Sequence, residues 1–476
     1  MPTKITPLSK DANAWYNDVV LQADMADYGS VRGTMIIKPY GFAIWKRIQR
    51  VLGDAIESAG VQDAYFPLLI PESFLKKEAS HIEGFAPEVA WVTEAGGKKL
   101  QERLAVRPTS ETIINDAFSR WIESHRDLPM RINQWVNVMR WEKRTKLFLR
   151  TSEFLWQEGH TVHAAPEEAA AETERALSMY KTFCRETLAI PVLTGHKTES
   201  EKFAGADYTL AIETLLKDGK SLQAGTSHNL GQNFAKVFDI KFADETGVRA
   251  VPWQTSWGMS SRIIGALILT HGDDKGLVLP PNIAPWQVVI VPIYKTDQEK
   301  KDVMASVDEV AKTLRKVDVR VHIDQRDGYS PGYKFNDWEV RGVPLRIEIG
   351  PKDVAKKSVM TVVRHTGDKT AMKIGALDKS IPEMLTKIQT SLLDNAQKYR
   401  DEHTLKVADY KEFKDVIGKG VLIDAGWCGE ATCEEKIKEE TKATIIILPF
   451  DQKEIPEVCV ACGKPATHRA IFARAH

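Results

Sequence analysis

Between Pro39 and Gly60 the apolar residues Ile44, Ile48, Val51, Leu52, Ala55 and Ile56 recur at three- and four-residue spacing, the signature of one helical face. Pro39 suits a first helical turn, where its missing N–H loses no partner, and Gly60 suits the stop. The pattern predicts one long amphipathic helix. It feeds Val61 to Pro71, where Tyr65-Phe66-Pro67-Leu68-Leu69-Ile70-Pro71 predicts a buried or edge strand able to carry proline. Gln134–Arg140 and Leu149–Gly159 predict two more strands. The charged segment Lys143-Arg144-Thr145-Lys146 between them predicts an antiparallel hairpin.

The pattern changes at Pro280-Pro281 and Pro285. Beyond them Val288–Val291 reads as a strand, Val303, Val307, Val310, Ala311 and Leu314 as a helix, and Val319–Ile323 and Leu345–Ile349 as further strands. Such alternation predicts an α/β module. A polar helix near Ile381–Arg400 then leads into a cysteine-bearing tail. With 476 residues the chain exceeds what one core supports, so three domains are expected, at 1–284, 285–395 and 396–476.

Composition narrows the class. Hydrophobic residues at 43% and charged residues at 27%, with no stretch of membrane-spanning length, predict a soluble protein with no membrane partner. Met1–Trp15 lacks the apolar core of a signal peptide, so the cytoplasm is expected. Lys plus Arg equals Asp plus Glu at 65 each, which leaves no global field for a polyanion. Contact with RNA must then rest on local clusters, and no DNA partner is expected. The cysteines are uneven. Cys428-x4-Cys433 and Cys459-x2-Cys462 have metal spacing and can deliver four thiolates to one tetrahedral, structural Zn²⁺, the alternative being four reduced thiols. Cys184, inside the apolar-periodic segment Ala176–Leu188, is expected in the core.

Candidate chemistry concentrates in Arg140-Trp141-Glu142 and in the segment from Arg150 to Glu158. On a strand, Arg150, Ser152, Phe154, Trp156 and Glu158 share one face. A buried sheet face carrying arginine, aromatic and carboxylate is costly unless a ligand uses it; the alternative is a salt-bridged structural hairpin. This segment resembles motif 2 of the class II aminoacyl-tRNA synthetases. The helix with Pro67 resembles motif 1, the dimer-forming element, and Trp257-Gly258-Met259-Ser260-Ser261-Arg262 with the apolar helix after it resembles motif 3. Arg107-Pro108-Thr109-Ser110-Glu111, Phe203-Ala204-Gly205-Ala206 and Gln223-Ala224-Gly225-Thr226-Ser227-His228 resemble their counterparts in the prolyl-tRNA synthetases. The short interval between Arg150 and Arg262 leaves no room for the bacterial-type editing insertion, and the tail resembles the archaeal and eukaryotic type.

The resemblance implies a multidomain α+β and α/β fold: an antiparallel-sheet catalytic domain, an α/β anticodon-binding domain and a small C-terminal α/β zinc domain. It implies a homodimer acting on L-proline, ATP with Mg²⁺, and tRNA(Pro). Arg140 and Arg262 would be catalytic. Arg140, Glu142, Arg150, Thr151, Phe154, Gln223, Thr226, Ser260 and Arg262 would bind ATP, and Thr109, Glu111, Arg140, Trp156, Glu158, Phe203 and His228 would bind proline. Glu339, Arg346 and Lys352 would meet the anticodon, and Lys143, Arg144 and Lys146 the acceptor stem. Alone, His228 would be read as a core histidine; its Thr-Ser-His context favours the site. His160 and His163 face opposite ways on a strand and are expected to be structural, and Gly195-His196-Lys197 a turn. Members of this type usually end in tyrosine, where this chain has His476. The rival readings are another class II ligase and a non-catalytic synthetase-like RNA binder; the presence of Arg140, Glu142, Arg150 and Arg262 favours the enzyme.

Overall fold

In the computed structural model, residues 5–77 and 88–476 are described; the first four residues of the N-terminal segment lie outside them. The predicted amphipathic helix is α1, Pro39–Ser58, with Pro39 in its first turn. It buries Ile44, Trp45, Ile48, Leu52 and Ile56. The Trp45 ring meets Trp135 edge-on at 5.6 Å. Truncating so large a buried ring to alanine is expected to destabilise the fold by about 3–5 kcal/mol.

The first body is organised by strands β1 (Gln62–Asp63), β2 (Met130–Met139), β3 (Glu153–His163), β4 (Leu193–His196), β5 (Tyr208–Leu215), β6 (Ser221–Gly231) and β7 (Trp253–Ser260). They lie in the order β4-β5-β6-β7-β3-β2-β1, antiparallel except for the short β1 at the edge. The predicted hairpin is β2 and β3, but β3 begins only at Glu153. Arg150 and Ser152 lie in the connection, where Lys146 and Arg150 bridge backbone to backbone. The shared face therefore begins at Phe154 and runs through Trp156 and Glu158 to His160. The strand predicted within 61–71 is two pieces, β1 and a separate strand at Leu69–Pro71, with Pro67 between them.

Helices α2 (Glu111–Trp121), α3 (Pro166–Thr182) and α4 (Arg262–His271) flank the strands. Tyr180 of α3 donates its hydroxyl to Gln157 at 2.6 Å, on the face of β3 opposite Trp156 and Glu158. Trp257 also packs against Tyr180, and a Cβ at Gly159 would collide with the Trp257 ring. Cys184 is buried in this core, as expected.

The second body has strands β8 (Val288–Pro292), β9 (Val321–Ile323), β10 (Leu345–Ile349), β11 (Ser358–Val363) and β12 (Lys369–Lys373), with helices α5 (Asp297–Arg315), α6 (Pro331–Val340) and α7 (Leu377–Glu402). Their order is β9-β8-β10-β11-β12; β9, β8 and β10 run parallel, while β11 and β12 return antiparallel. Arg364 ties this body to the first one through both oxygens of Asp273, at 2.7 and 2.8 Å.

The third body contributes β13 (Thr404–Lys406), β14 (Leu422–Trp427), β15 (Thr444–Pro449) and β16 (His468–Ala473), with helices α8 (Tyr410–Ile417) and α9 (Ala431–Thr441). Its sheet is not separate. Leu448 and Pro449 of β15 pair with His196 and Gly195 of β4, giving one eleven-stranded sheet. Gly195, predicted in a turn, is thus in a strand, and glycine is needed because a Cβ there would strike the Leu448 carbonyl.

Candidate active site

Register assembles the site. Thr209, His228, Ser256 and His160 stand opposite one another across β5, β6, β7 and β3. One row along, Thr226, Gly258, Glu158 and Gln134 align across β6, β7, β3 and β2, and Ser260 faces Trp156. Two-residue periodicity turns these residues to one face. All of them but Gln134 line a cavity of about 260 Å³, together with Thr109, Glu111, Arg140, Phe154, Phe203, Gln223 and Arg262.

Arg140 follows the last residue of β2, and its N–H donates to the Ser152 carbonyl at 2.8 Å, which closes the hairpin. Its side chain donates Nε–H to Pro108 O at 3.1 Å, and its guanidinium lies 5.5 Å from the Phe154 ring and 5.7 Å from the Trp156 ring. Burial pushes its pKa down, and the carboxylates of Glu111, Glu88, Glu158 and Glu142 resist that. Arg262 opens α4 and donates Nε–H to Leu149 O at 2.9 Å. Burial and then repulsion by Arg140 and Arg150 lower its pKa. Two buried guanidiniums in one cavity, the second repelled by the first, are suited to a polyanion.

The other end of the cavity is a hydrogen-bonded wall. Glu158 accepts from Ser110 Oγ at 2.5 Å and Gln134 Nε2 at 2.6 Å, and its second oxygen lies 2.9 Å from His160 Nε2. Burial alone would lower the His160 pKa, but Glu158 outweighs it and the net shift is upward. Thr109 Oγ1 donates to Glu111 in the first turn of α2. His228 lies with Nδ1 2.9 Å from Thr209 Oγ1 and its ring 4.6 Å from Phe203. Burial depresses it to about 4, although Glu111 pushes the other way, so the ring is neutral at pH 7.

Three of the expected nucleotide residues stand outside this lining. Arg150 Nε donates to Glu142 at 2.7 Å in the hairpin connection, with Arg150 half exposed, and Thr151 Oγ1 donates to the Glu153 carbonyl at 2.7 Å. Lys143 and Arg144 are exposed, but Lys146 turns inward, 3.0 Å from Asn13 Oδ1 and 4.5 Å above the Tyr16 ring. Thr209, Ser256 and Glu201 line the cavity although the sequence reading omitted them, and His160, expected to be structural, lines it as well. The period-two face through Phe154, Trp156 and Glu158 extends to His160, so that residue was within reach of the same argument.

In the second body, Glu339 ends α6 with its carboxylate 3.1 Å from Lys275, Arg346 is paired with Glu348 at 2.9 Å and stacked on Phe335, and Lys352 is exposed. Trp338, the residue before Glu339, is buried and donates Nε1–H to Asp324 at 2.8 Å, so it offers no face to a base.

In the third body the four cysteine sulfurs lie within 4.8 Å of one another, with Cys428 Sγ 3.6 Å from Cys433 Sγ and 3.9 Å from Cys462 Sγ. A disulfide holds its sulfurs at about 2 Å. A tetrahedral zinc with Zn–S near 2.3 Å spaces its sulfurs at roughly 3.8 Å. The four thiols fit that metal, and as a full donor set they leave no position for a reactive water.

The family model "tRNA synthetase class II core domain (G, H, P, S and T)" matches residues 91–271, "Anticodon binding domain" matches 287–384, and "Prolyl-tRNA synthetase, C-terminal" matches 410–476. The chain is 52% identical to the chloroplastic/mitochondrial proline–tRNA ligase of Arabidopsis thaliana, over 99% of this chain and 88% of that one. It is 51% identical to proline–tRNA ligase 2 of Clostridioides difficile (strain 630), over 99% and 98% respectively. Among solved structures it is similar to the prolyl-tRNA synthetase of Cryptosporidium parvum complexed with halofuginone and AMPPNP, with a TM-score of 0.94, 42% identity, and coverage of 99% of this chain and 97% of that one. The same Cryptosporidium enzyme complexed with L-proline and AMP matches with a TM-score of 0.94 and 41% identity, covering 100% of this chain and 97% of that one.

Proposed function

This chain belongs to the prolyl-tRNA synthetases, and from that membership we propose that it activates L-proline with ATP and transfers the product to tRNA(Pro). One observation carries the reading: Arg140 and Arg262, far apart in sequence, line the same cavity as Thr109, Glu111 and His228.

In the first step the proline carboxylate attacks the α-phosphate of ATP, a P–O bond forms, and pyrophosphate departs with the bonding pair. The nucleophile is already an anion, so catalysis is a matter of positioning and charge neutralisation. Arg140, fixed by Pro108 and the two aromatic rings, offers its planar fork to the carboxylate and the α-phosphate. Arg262 takes the γ-phosphate, Phe154 stacks on the adenine, and Gln223, Thr226 and Ser260 supply polar contacts. Glu142, Arg150 and Thr151 hold the phosphate tail at the cavity mouth. Mg²⁺ bound with the ATP would neutralise the leaving pyrophosphate.

Glu111, oriented by Thr109, accepts from the proline ammonium. Thr209 Oγ1 already accepts from the Phe203 N–H at 3.0 Å, leaving its own proton for His228 Nδ1; the ring then presents Nε2–H to the substrate. Trp156, Glu158 and Phe203 wall the pyrrolidine. The prolyl group then passes from the adenylate to a terminal ribose hydroxyl of the tRNA, an ester bond forming as the acyl–phosphate bond breaks and AMP departs, with Lys143 and Arg144 against the acceptor stem and Glu339, Arg346 and Lys352 at the anticodon.

The working division is 1–284 for activation, 285–395 for the anticodon and 396–476 for the zinc-bound tail, with no editing insertion. Cys428, Cys433, Cys459 and Cys462 would hold a structural Zn²⁺ that cross-links the tail, and the cytoplasm keeps such thiols reduced. The enzyme works as a homodimer; Tyr28, Val31, Ile36 and Phe42, each more than 40% exposed, supply an apolar patch for the contact.

The test is ATP–pyrophosphate exchange with each of the twenty amino acids offered separately. Proline should support by far the fastest exchange. A different amino acid in first place would replace this reading with a sibling ligase, and no exchange with any of them would favour a non-catalytic RNA binder.

A further inference from the structure

His476 is docked on the catalytic body. Its Nε2 lies 2.8 Å from Asp218 Oδ2, with the two side chains only 8% and 6% exposed. Backbone bonds fix the approach: the His476 N–H donates to Ser221 O at 3.1 Å, and the Ser221 N–H donates to Arg474 O at 2.9 Å. Asp218 occupies the turn between β5 and β6, outside the substrate cavity.

The Asp218 carboxylate has a second neighbour, the Lys146 ammonium, with Nζ at 4.0 Å. That lysine begins the return of the β2–β3 connection. Its N–H donates to Arg150 O at 2.7 Å, and the Arg150 N–H returns to Lys146 O at 2.9 Å. Within this short loop the Leu147 carbonyl accepts from Tyr16 OH at 2.8 Å and the Leu149 carbonyl from Arg262 Nε at 2.9 Å. Tyr16, Tyr399, Lys146, Lys220 and His476 are the titratable groups that bear on Asp218, and burial opposes its ionisation while His476 leads the groups that favour it. Without His476 the buried carboxylate would depend on the more distant lysine, and a buried charge short of partners reorganises its surroundings. Lys146 is bonded backbone to backbone with Arg150, so any shift of Lys146 would carry Arg150 and the Leu149 carbonyl with it.

We infer that His476 is a positioning residue: through Asp218 and Lys146 it holds the 146–150 loop in the conformation that presents Arg150 and steadies Arg262 for the nucleotide. This rests on the ligase reading. The third body thereby reaches the nucleotide end of the cavity without touching the nucleotide.

The experiment uses the full chain with His476→Ala, His476→Gln and Asp218→Asn. Proline-dependent pyrophosphate exchange gives the KM for ATP and for proline separately, and hydrogen exchange is followed over residues 143–150. His476→Ala and Asp218→Asn should each raise the KM for ATP about fivefold or more while the KM for proline stays within about twofold, and the double variant should be no worse than either. Glutamine, which retains a donor near the Nε2 position, should recover most of the loss. Loop amides should exchange faster in the two damaged variants. An unchanged KM for ATP with unchanged loop exchange would overturn the inference, as would an equal rise in both KM values with a lowered melting temperature, the mark of a purely structural role. Wild-type chain lacking proline-dependent exchange would sink the ligase reading instead, and the loop-exchange comparison would still decide whether His476 holds the loop.

Discussion

Arg262 Nε donates to the carbonyl of Leu149 at 2.9 Å, so an arginine at the start of α4 is aimed by the connection between β2 and β3. Lysine at this position would keep the charge but lose both this donor and the planar fork. Arg262→Lys is expected to lower kcat for proline-dependent pyrophosphate exchange about a hundredfold, with the KM for proline little altered. Steady-state exchange with ATP and proline varied separately checks it. Near-wild-type turnover would mean that charge alone suffices and that the aimed geometry is incidental.

Histidine burial predicts a loss of stability in mild acid. Burial, the leading cause in each case, depresses His163 and His228 to about 4 and His271 to about 3. In the unfolded chain each titrates near 6.5. Between these values the unfolded state binds more protons than the folded one, so the stabilisation is complete above about pH 6.5 and declines as the pH falls. Each such histidine contributes a slope of up to about 1.4 kcal/mol per pH unit. His160 has the opposite sign, because Glu158 raises it; its contribution is present below about pH 6.5 and fades as the pH rises through its folded pKa. Burial lowers His196, His322 and His365 as well, and six against one leaves a net fall. Urea midpoints at pH 7, 6 and 5, read by tryptophan fluorescence, should step downward, and a constant midpoint would contradict the assignment.

The cysteine cluster predicts one zinc per chain. Cys433→Ser, at the buried ligand in α9, should abolish the bound metal and lower the melting temperature of the third body. Native mass spectrometry before and after chelation reads the stoichiometry. A chain that carries no zinc as purified, yet keeps its fold and activity, would show that the thiols pack without a metal.

The amino-acid end of the cavity predicts imperfect exclusion of small substrates. Walls that accept a pyrrolidine also admit alanine or cysteine, and each methylene lost weakens binding by only about 1–3 kcal/mol. Exchange with alanine or cysteine should therefore rise above blank while staying well below that with proline. Exchange indistinguishable from blank for both would require an exclusion device beyond size.

Much of the site was legible because strand periodicity is local. Phe154, Trp156 and Glu158 share a face by spacing alone, and the structure keeps them together in the cavity. What spacing does not contain is where a strand begins. Arg150 appeared to continue that face, yet its ion pair with Glu142 and its backbone bridge to Lys146 hold it in a loop. Contacts between distant segments were equally out of reach. Gly195-His196 looked like a turn because its strand partners, Leu210-Ala211 on one side and Leu448-Pro449 of another body on the other, are distant in sequence, and Ser256 and Thr209 join the site only through the register of β7 and β5 against their neighbours. Spacing likewise does not show that Trp338, beside Glu339, has its indole N–H committed to Asp324 inside the second body.

The pairing of β15 with β4 makes the tail a cover as well as an appendage. Cut away the last body, and β4 would be left with a row of unsatisfied N–H and C=O groups facing water, a template for other chains. A shortened enzyme would not be a cleaner catalytic unit but a self-adhesive one, so solubility itself depends on residues far from any substrate.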